Sequence, residues 1–430
     1  MDLTDRIAVW QQNVNKSRIC QHGLVSNNDL IRKGINIIAL QEPSIDANGY
    51  TLASKDWVPI YPTLHRKSNA ATRAVTLIRE SIKSDTWKQI DFPSCDVVVI
   101  QISGEWGKLT IANIYNDCHN DETVRLLKDF HNRNQAEITQ TISGTAHTLW
   151  VGDFNRHHPY WDDPSDGRLF TNEATDAAKR LIEAVADIGL ELALPSGIPT
   201  HRHSVTKLWS RLDQVFISDC SINALISCET QPDHWGVNTD HLPILTVLNL
   251  KAEHVVEQEI PNFRDVDWEE FQKELSTQLD KIPAPSTITS QSQLNRACES
   301  LTKALQRTIE FQVPTATITP KSKRWWTKEL TQLRRRANKL GRQSYNRHSD
   351  PDHLVHSEHI AAAKKYRKTL EQTKNHHWRD WLENAEDPDI WTAHKLTSNP
   401  WGDGGKTRIP GLKQGTDGDE IAAVTNSDKG

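Results

Sequence analysis

The chain has 430 residues, of which 36% are hydrophobic and 25% charged, and its formal net charge is −5. This length allows one large α/β domain with a smaller appendage, and the low hydrophobic content indicates that part of the chain is extended or polar. Six cysteines without a CxxC pair argue against a zinc site or a disulfide scaffold and favour a reducing, intracellular setting. The N-terminus is not a signal peptide and no apolar run approaches roughly 18 residues, so no membrane span is expected.

Residues 1–250 alternate short apolar runs with helical stretches. The clearest helices are predicted near 121–142 and 174–189, and in the first of them Val124 and Leu127 are spaced for one buried face. Strands that alternate with helices predict an α/β domain over this part of the chain.

Six predicted strands in this domain adjoin polar clusters. In the most informative cluster an apolar run breaks at Gly152 and is followed by Asp153 and Asn155. Side chains two apart on an extended backbone point the same way, so both are expected to reach one metal ion or one phosphate oxygen. The clusters are NVN (13–15), QE (41–42), NIY (113–115), GDFN (152–155), SRLD (210–213) and TDH (239–241).

Together these clusters contain what a metal-assisted phosphodiester hydrolase needs. Carboxylate oxygens such as that of Glu42 suit Mg²⁺ or Mn²⁺, a histidine transfers protons near neutral pH, and amide or phenol donors hold an anionic substrate. Each residue alone has a structural interpretation: Asn13 as a turn former, Tyr115 as a core aromatic, Asp213 as a turn cap. The combination favours the functional interpretation.

The six motifs, in this order, resemble the endonuclease/exonuclease/phosphatase superfamily. Three longer runs, GDFNRHHPYW, LPSGIPTHRH and SRLDQVFIS, resemble the endonuclease domain of non-LTR retrotransposons, which is related to apurinic endonucleases. The resemblance covers approximately residues 5–250. It implies a four-layer α/β sandwich of two packed mixed β-sheets flanked by helices, with the site at one edge of the sheets, followed here by a mostly helical C-terminal extension.

The resemblance also implies a metal site for Mg²⁺ or Mn²⁺. Glu42 corresponds to the metal-binding carboxylate, and Asn13 assists it. Asp240 lies where the family places a second acid near the metal.

The same resemblance implies the catalytic roles. Asp153 corresponds to the carboxylate that orients or deprotonates the attacking water, and Asn155 to the donor that holds the phosphate. His241 corresponds to the imidazole beside the scissile phosphate, oriented by Asp213. Tyr115 corresponds to a phenol that contacts the phosphate.

Four further residues are weaker candidates for substrate contact. Thr200 and Ser210 fall where the family often has polar residues near the phosphate. The loop that contains His157 and Trp161 either contacts DNA or is a packed loop that holds Asp153 in place.

The charge of the chain is unevenly distributed. Residues 321–380 contain 16 Lys or Arg against 6 Asp or Glu. Basic residues mixed with aromatics suit phosphate neutralisation and base stacking, which makes DNA or an element's RNA a candidate partner. The alternative is a packed amphipathic helix, because apolar residues recur at helical spacing from Leu330 to Leu340. The tryptophans beyond residue 320 are Trp325, Trp326, Trp378, Trp381, Trp391 and Trp401.

These shifts in composition predict four segments. An endonuclease domain over 1–250 is followed by a helical linker region over 251–320, a basic helical segment over 321–398, and a disordered Gly-, Asp- and Lys-rich tail over 399–430. The KSKRWWTKEL run resembles the linker that precedes a reverse transcriptase in such elements, and no polymerase motif is found in the chain. We therefore expect a truncated or separately encoded endonuclease portion.

The expected function is divalent-cation-dependent nicking of duplex DNA that leaves a 3′-hydroxyl, in an intracellular, nuclear location. Two alternatives stay open. One keeps the superfamily and changes the substrate to an abasic site or a phosphorylated small molecule. The other is an inactive, nucleic-acid-binding relic of a mobile element. The sequence does not indicate an oligomeric state or a target-site preference.

Overall fold

The computed structural model describes residues 6–26, 30, 33–54, 56–254, 260–261, 263, 266–282, 288–316, 326–383, 412–414 and 421–423. The chain divides into two compact units. One contains residues 1–255 together with 326–430, and the other contains residues 256–325.

The first unit is built around fourteen strands in the described part of residues 1–255. In chain order they are β1 (Ile7–Asn13), β2 (Ile37–Gln41), β3 (Trp57–Ile60), β4 (Ala74–Arg79), β5 (Trp87–Ile90), β6 (Val97–Gly104), β7 (Gly107–Tyr115), β8 (Thr145–Asp153), β9 (Leu190–Leu192), β10 (His201–Arg202), β11 (Trp209–Ser210), β12 (Asp213–Ser218), β13 (Leu225–Thr230) and β14 (Ile244–Leu248).

Twelve of these strands form two six-stranded mixed sheets. The first has the order β13-β14-β1-β2-β4-β3, with β1 and β2 parallel and the other neighbours antiparallel. The second has the order β5-β6-β7-β8-β12-β9, with β7 and β8 parallel and the rest antiparallel. Strands β10 and β11 form a separate two-stranded ribbon.

The alternation of side chains along each strand explains how the sheets pack. Val9 and Ile37 of the first sheet lie in one buried cluster with Ile111, Val151 and Val215 of the second, so this apolar layer lies between the sheets. Residues one position along point outward and are covered by helices.

Helices cover the outer faces. They are α1 (Arg18–Val25) on the first sheet, and α2 (Glu122–Arg133), α3 (Gln135–Thr139) and α4 (Asn172–Ile188) on the second. The four-layer α/β sandwich implied by the resemblance is confirmed. The helix predicted near 121–142 is divided at Asn134, which ends α2 and caps α3.

Gly152 is required by the close approach of β7 and β8. Its φ is +157°, and a Cβ built there would lie 1.9 Å from the carbonyl oxygen of Ile114. A side chain at this position would force the two central strands apart next to Asp153.

Two further helices, α7 (Lys328–Asn346) and α8 (Leu354–Glu383), belong to the first unit. They pack against each other, burying Leu330, Ala337, Val355, Tyr366 and Leu370. The packed amphipathic helix expected from the spacing of apolar residues is therefore present. The outward faces carry exposed cations, Arg335, Arg336, Lys339, Lys364, Lys365, Arg367 and Lys368.

The second unit contains α5 (Trp268–Leu279) and α6 (Gln291–Gln312). Two short strands, β15 (Ile260–Pro261) and β16 (Thr315–Ala316), pair antiparallel at its ends. Two or three helices were predicted between residues 265 and 312, interrupted by the Pro/Ser/Thr-rich stretch 283–292.

Two short strands, β17 (Leu412–Gln414) and β18 (Ile421–Ala423), pair within the segment predicted to be disordered. Otherwise the tail over 399–430 lies outside the described residues, as do Trp325, Trp391 and the end of the basic segment beyond 383. Among the described residues, no helix is both long enough and apolar enough to cross a bilayer.

Candidate active site

The site forms where apolar residues between the sheets give way to polar ones. In the first sheet, Asn13 lies opposite Gln41 on the neighbouring parallel strand. In the second sheet, Asp153 lies between Tyr115 on one side and Asp213 on the other. Since these positions continue the inward-facing set of each strand, their side chains meet at one edge of the sandwich.

Buried amides join the two sheets beneath the carboxylates. Gln41 Nε2 donates to Asn113 Oδ1 at 2.6 Å, and Asn113 Nδ2 donates to Thr76 Oγ1 at 3.2 Å. Gln11 Nε2 donates to Asp213 Oδ1 at 3.0 Å. These hydrogen bonds satisfy polar groups that burial would otherwise leave without water, and they fix the Asp213 carboxylate.

His241 is held by Asp213. The imidazole Nδ1 donates to Asp213 Oδ2 at 2.8 Å, and both side chains are buried. Burial alone lowers the pKa of His241, but the carboxylate of Asp213, helped by Asp153 and Asp240, outweighs burial and raises the pKa to about 10. With Nδ1 engaged, Nε2 is the nitrogen that points toward the other carboxylates.

Asp153 faces that nitrogen. Its Oδ2 lies 3.9 Å from His241 Nε2 and accepts a hydrogen bond from Asn13 Nδ2 at 2.9 Å, while Oδ1 accepts one from the backbone N–H of Asn155 at 3.1 Å. Burial raises the pKa of Asp153 to about 7, against the opposing effect of the nearby His241 charge. This carboxyl group therefore exchanges its proton near neutral pH.

Asp240 closes the other side of His241. Its Oδ1 is 3.9 Å from His241 Nε2, and its Oδ2 is 3.6 Å from His201 Nε2. Asn15 Nδ2 donates to Asp240 Oδ1 at 3.2 Å. Burial acts to raise the pKa of Asp240, but the hydrogen bond to His201 and the charges of both histidines lower it to about 2. Asp240 is thus an anion at every physiological pH.

Glu42 and Tyr115 form the more open side. The Glu42 side chain is 19% exposed, and its carboxylate lies 3.8 Å from Lys16 Nζ. Burial raises the pKa of Tyr115, as do the carboxylates of Glu42 and Asp153 and a hydrogen bond to Glu42. The Arg73 guanidinium lies over the Tyr115 ring, 4.7 Å from its centroid. The phenol therefore stays protonated and available as a donor.

The backbone conformation of Asn155 differs from the extended one that the sequence predicted. Strand β8 ends at Asp153, and Asn155 adopts a φ of +50°, so strand alternation does not set its direction. Its Nδ2 donates to the carbonyl of Asn116 at 2.9 Å. One of the two N–H groups of the amide is engaged in this way.

The donor set fits a divalent cation. Three carboxylates, Asp153, Asp213 and Asp240, lie around the His241 imidazole, and Glu42 lies beside Tyr115. Carboxylate and amide oxygens are hard ligands. Donor atoms of His201, Asp240 and His241 also lie within 4.8 Å of one another. The amide of Asn13, predicted to assist the metal, is engaged at both ends, because its Oδ1 accepts from the backbone of Asn15.

Residues 109–245 match the sequence model of a family described as Endonuclease-reverse transcriptase. This segment is therefore similar to that family. The matched range starts in β7 and ends in β14, so it includes Tyr115, Asp153, Asp213 and His241. The resemblance stated from the sequence is confirmed for it. No curated protein sequence matches the chain.

Solved structures of similar fold each cover somewhat more than half of the chain. One is the endonuclease domain of TRAS1, a telomere-specific non-LTR retrotransposon, with 15% identity, a TM-score of 0.43, and coverage of 57% of this chain and 99% of that one. Another is the AP endonuclease LMAP from Leishmania major, with 12% identity, a TM-score of 0.47 and coverage of 58% and 89%. A third is the 3′ phosphatase NExo from Neisseria bound to product DNA hairpin, with 16% identity, a TM-score of 0.43 and coverage of 56% and 99%.

Two residues that were predicted to contact substrate are core residues instead. Trp161 is fully buried and donates through Nε1 to the carbonyl of Arg156 at 3.0 Å. Thr200 is also fully buried, and its Oγ1 accepts from the backbone N–H of Asp213 at 3.1 Å. Neither side chain reaches a surface that a substrate could contact, so both predictions are corrected.

Of the other two weaker candidates, Ser210 contacts a histidine of the site and His157 contacts a buried carboxylate of its own loop. Ser210 Oγ is 3.1 Å from His201 Nδ1. His157 Nδ1 is 3.4 Å from Asp162, a buried carboxylate that also accepts from the backbone of His158. The loop with His157 and Trp161 is packed, which agrees with the alternative that it holds Asp153 in place.

Arg211 of the SRLD motif supports this packed loop from inside. Its side chain is 1% exposed, and burial lowers its pKa to about 10. The guanidinium donates to Gln214 Oε1 and to the backbone carbonyls of Trp161, Leu194 and Pro195.

Sequence reasoning missed His201 and the amides of Gln11 and Asn15. His201 follows Thr200 in the LPSGIPTHRH run, and Asn15 is the last residue of NVN, so the motifs already contained both. Gln11 could have been noticed as a polar residue at an inward-facing position of an otherwise apolar strand.

Proposed function

We propose that the chain is a divalent-cation-dependent endonuclease that nicks duplex DNA and leaves a 3′-hydroxyl. The proposal depends on one observation: a buried His241–Asp213 pair whose free nitrogen faces Asp153 at 3.9 Å. The family match of residues 109–245 supports the same chemistry.

The two facing groups, His241 and Asp153, have different pKa values. His241, with its pKa raised to about 10, holds a proton at neutral pH, and Asp153, with its pKa raised to about 7, is partly deprotonated there. Two neighbouring titratable groups can serve as general acid and general base when their environments give them different pKa values.

These roles account for hydrolysis of a phosphodiester. Asp153 accepts a proton from water as the water oxygen attacks phosphorus, and the bond from phosphorus to the 3′-oxygen breaks. His241 gives its proton to the departing oxygen, which leaves a 3′-hydroxyl and a 5′-phosphate. Asp213 stabilises the imidazolium and fixes which nitrogen donates. Tyr115 and the remaining N–H of Asn155 hold the phosphoryl oxygens.

Glu42 and Asp240, assisted by Asn13, would hold Mg²⁺ or Mn²⁺. A divalent cation bound there supplies positive charge that reduces repulsion between the phosphate and an incoming nucleophile. The polar residues of the turn after β1 link the two carboxylates, since Lys16 lies beside Glu42 and Asn15 donates to Asp240.

The exposed cations of α7 and α8 give the nuclease a surface that suits a nucleic-acid backbone. We extend the proposal to duplex DNA as target, to an element's RNA as a second partner of this surface, and to the nucleus as the location.

Nicking of supercoiled plasmid tests the proposal. We expect open circles with Mg²⁺ or Mn²⁺ and none with EDTA, and end mapping should show 3′-hydroxyl termini. His241→Asn should abolish nicking, while His376→Asn, at a side chain 80% exposed on α8, should not. Equal nicking by His241→Asn would refute the assignment.

Substrate comparison separates this function from its alternatives. Turnover of intact duplex should exceed that of an inositol phosphate, and an abasic duplex should give no large gain. A strong preference for the abasic duplex would indicate a repair nuclease. Absence of turnover on every substrate, with DNA binding retained, would indicate an inactive relic.

A further inference from the structure

The segments that present Asp240 and His241 are held on their inner side by β1. Gln12 Nε2 donates to the carbonyl of Trp235 at 2.8 Å, and Thr239 Oγ1 donates to the carbonyl of Asn13 at 2.8 Å. Both contacts lie in residues 231–241, which we call the histidine loop.

The ribbon β10–β11 lies beside this loop. The backbone N–H of Arg202 donates to the carbonyl of Asp240 at 2.9 Å, and His201 forms an isolated bridge with His241. These contacts couple the position of the histidine loop to that of the ribbon. The loop contains Asp240 and His241, so the position of both residues depends on this contact.

On their outer side, the loop and the ribbon meet through two tryptophans. Trp235 of the loop and Trp209 of the ribbon have ring centroids 5.2 Å apart, and both are buried with Leu242 in one cluster. We call these two residues the tryptophan pair.

The helices α7 and α8 cover the tryptophan pair. Tyr345 packs edge-on against Trp209 at 5.5 Å, and His359 lies 4.9 Å from Trp235. Burial lowers the pKa of His359 to about 4, so its ring is neutral at physiological pH and packs as an aromatic group.

Polar contacts also hold α7 against this part of the first unit. Thr230 Oγ1 donates to Tyr345 Oη at 3.1 Å, and Arg342 lies 3.3 Å from Asp233. A Cβ built at Gly341 would lie 3.5 Å from the carbonyl oxygen of Pro232 and 3.3 Å from His359 Nε2, so α7 approaches the loop closely at a residue without a side chain.

We propose that α7 and α8 are a positioning element of the active site, in which Tyr345 and His359 hold the tryptophan pair and thereby the histidine loop. The segment predicted as basic and helical is then part of the catalytic unit, and the nuclease comprises residues 6–254 together with 326–383. The kinetic part of this inference rests on the proposed function, whereas the structural part does not.

Kinetics of full-length variants test the inference. Tyr345→Ala should lower kcat for plasmid nicking at least about tenfold, with KM changed less than about twofold, because misplaced catalytic groups slow chemistry more than they weaken binding. Tyr345→Phe keeps the ring and should restore most of kcat. Tyr366→Ala removes a similarly buried ring from between the helices, without a contact to the tryptophan pair, and should leave kcat within about twofold. Unchanged kcat in Tyr345→Ala, or an equal loss in Tyr366→Ala, would overturn the inference.

Amide hydrogen exchange over residues 231–242, in the full chain without DNA or metal, gives an independent readout. Exchange should accelerate in Tyr345→Ala and stay slow in Tyr345→Phe. Unchanged exchange in Tyr345→Ala would overturn the inference. If the wild type does not nick DNA, the proposed function fails, but this measurement still decides whether the helices hold the loop.

Discussion

Ionisation of the Asp153 carboxyl group should lower the stability of the folded protein, although the proposed mechanism requires the ionised form. Burial raises its pKa from the ordinary value of 3.8 to about 7, so the folded protein holds the proton more tightly than the unfolded chain does. This contribution to stability is complete below about pH 4 and is lost as pH rises through about 7. The charged carboxylate needed for water activation is therefore unfavourable for folding.

The size of the effect follows from linkage. A difference between 3.8 and about 7 corresponds to roughly 4 kcal/mol between the two protonation states. Between pH 5.5 and 8.5 the wild type should lose about 2 kcal/mol through this group alone. Asp153→Asn cannot lose it, since an amide does not ionise, and removal of the anion also lowers the pKa of His241, which acts in the same direction.

Urea unfolding of the full chain in EDTA measures this difference. Fluorescence of the buried tryptophans Trp10, Trp150 and Trp161 should report the two-sheet unit. We expect the stability of Asp153→Asn to fall by about 2 kcal/mol less than that of the wild type over this pH range, while nicking is lost. Asp129→Asn, at a helix position whose side chain is 48% exposed, should follow the wild type. If Asp153→Asn loses as much stability as the wild type between the two pH values, the reasoning is refuted.

Three other predictions follow from the site and its supports. The rate of nicking with Mg²⁺ should rise as Asp153 deprotonates, at or below about pH 7, and fall above about pH 10 as His241 loses its proton. Initial rates measured from pH 5.5 to 10.5 check this profile. A wild-type rate that does not decline at low pH would contradict it. Glu42→Gln should raise the half-saturating Mg²⁺ concentration at least about tenfold, measured by metal titration of nicking, and an unchanged value would remove Glu42 from the metal site. Arg211→Leu should reduce the free energy of unfolding by about 3 kcal/mol, because three backbone carbonyls, two of them buried, lose their donor. In the same urea assay the exposed Arg125→Leu should have an effect within about 0.5 kcal/mol, and equal effects of the two substitutions would contradict the structural role of Arg211.

Much of the site could be predicted from the sequence because its residues occupy regular strand positions. Asp153 and Asp213 end or begin apolar runs with a period of two, and a period of two fixes which side of a sheet a residue faces. The order of the motifs then indicated that these faces meet. The same rule did not extend to Asn155, since the strand ends at Asp153 and the backbone leaves the extended region.

Residues outside regular strands could not be assigned in this way. Trp161 and Thr200 lie in loops near the motifs, and proximity in sequence suggested substrate contact, but their burial depends on how the loop with Arg211 packs. His201 reaches the centre only because β10 lies against the segment that contains His241.

By itself the sequence indicated the strands, the polar clusters at their ends and the ionisable residues in them, because the repeat of side chains along a strand is a local property. The two packed sheets with a site at one edge were implied by the resemblance to a known family. The tertiary structure alone decided that the C-terminal helices pack on the tryptophan pair. A helical pattern shows that Leu330 and Tyr345 belong to an apolar face, but it does not show which surface covers that face. Only three-dimensional packing joins residues more than 100 positions apart, such as Thr230 and Tyr345.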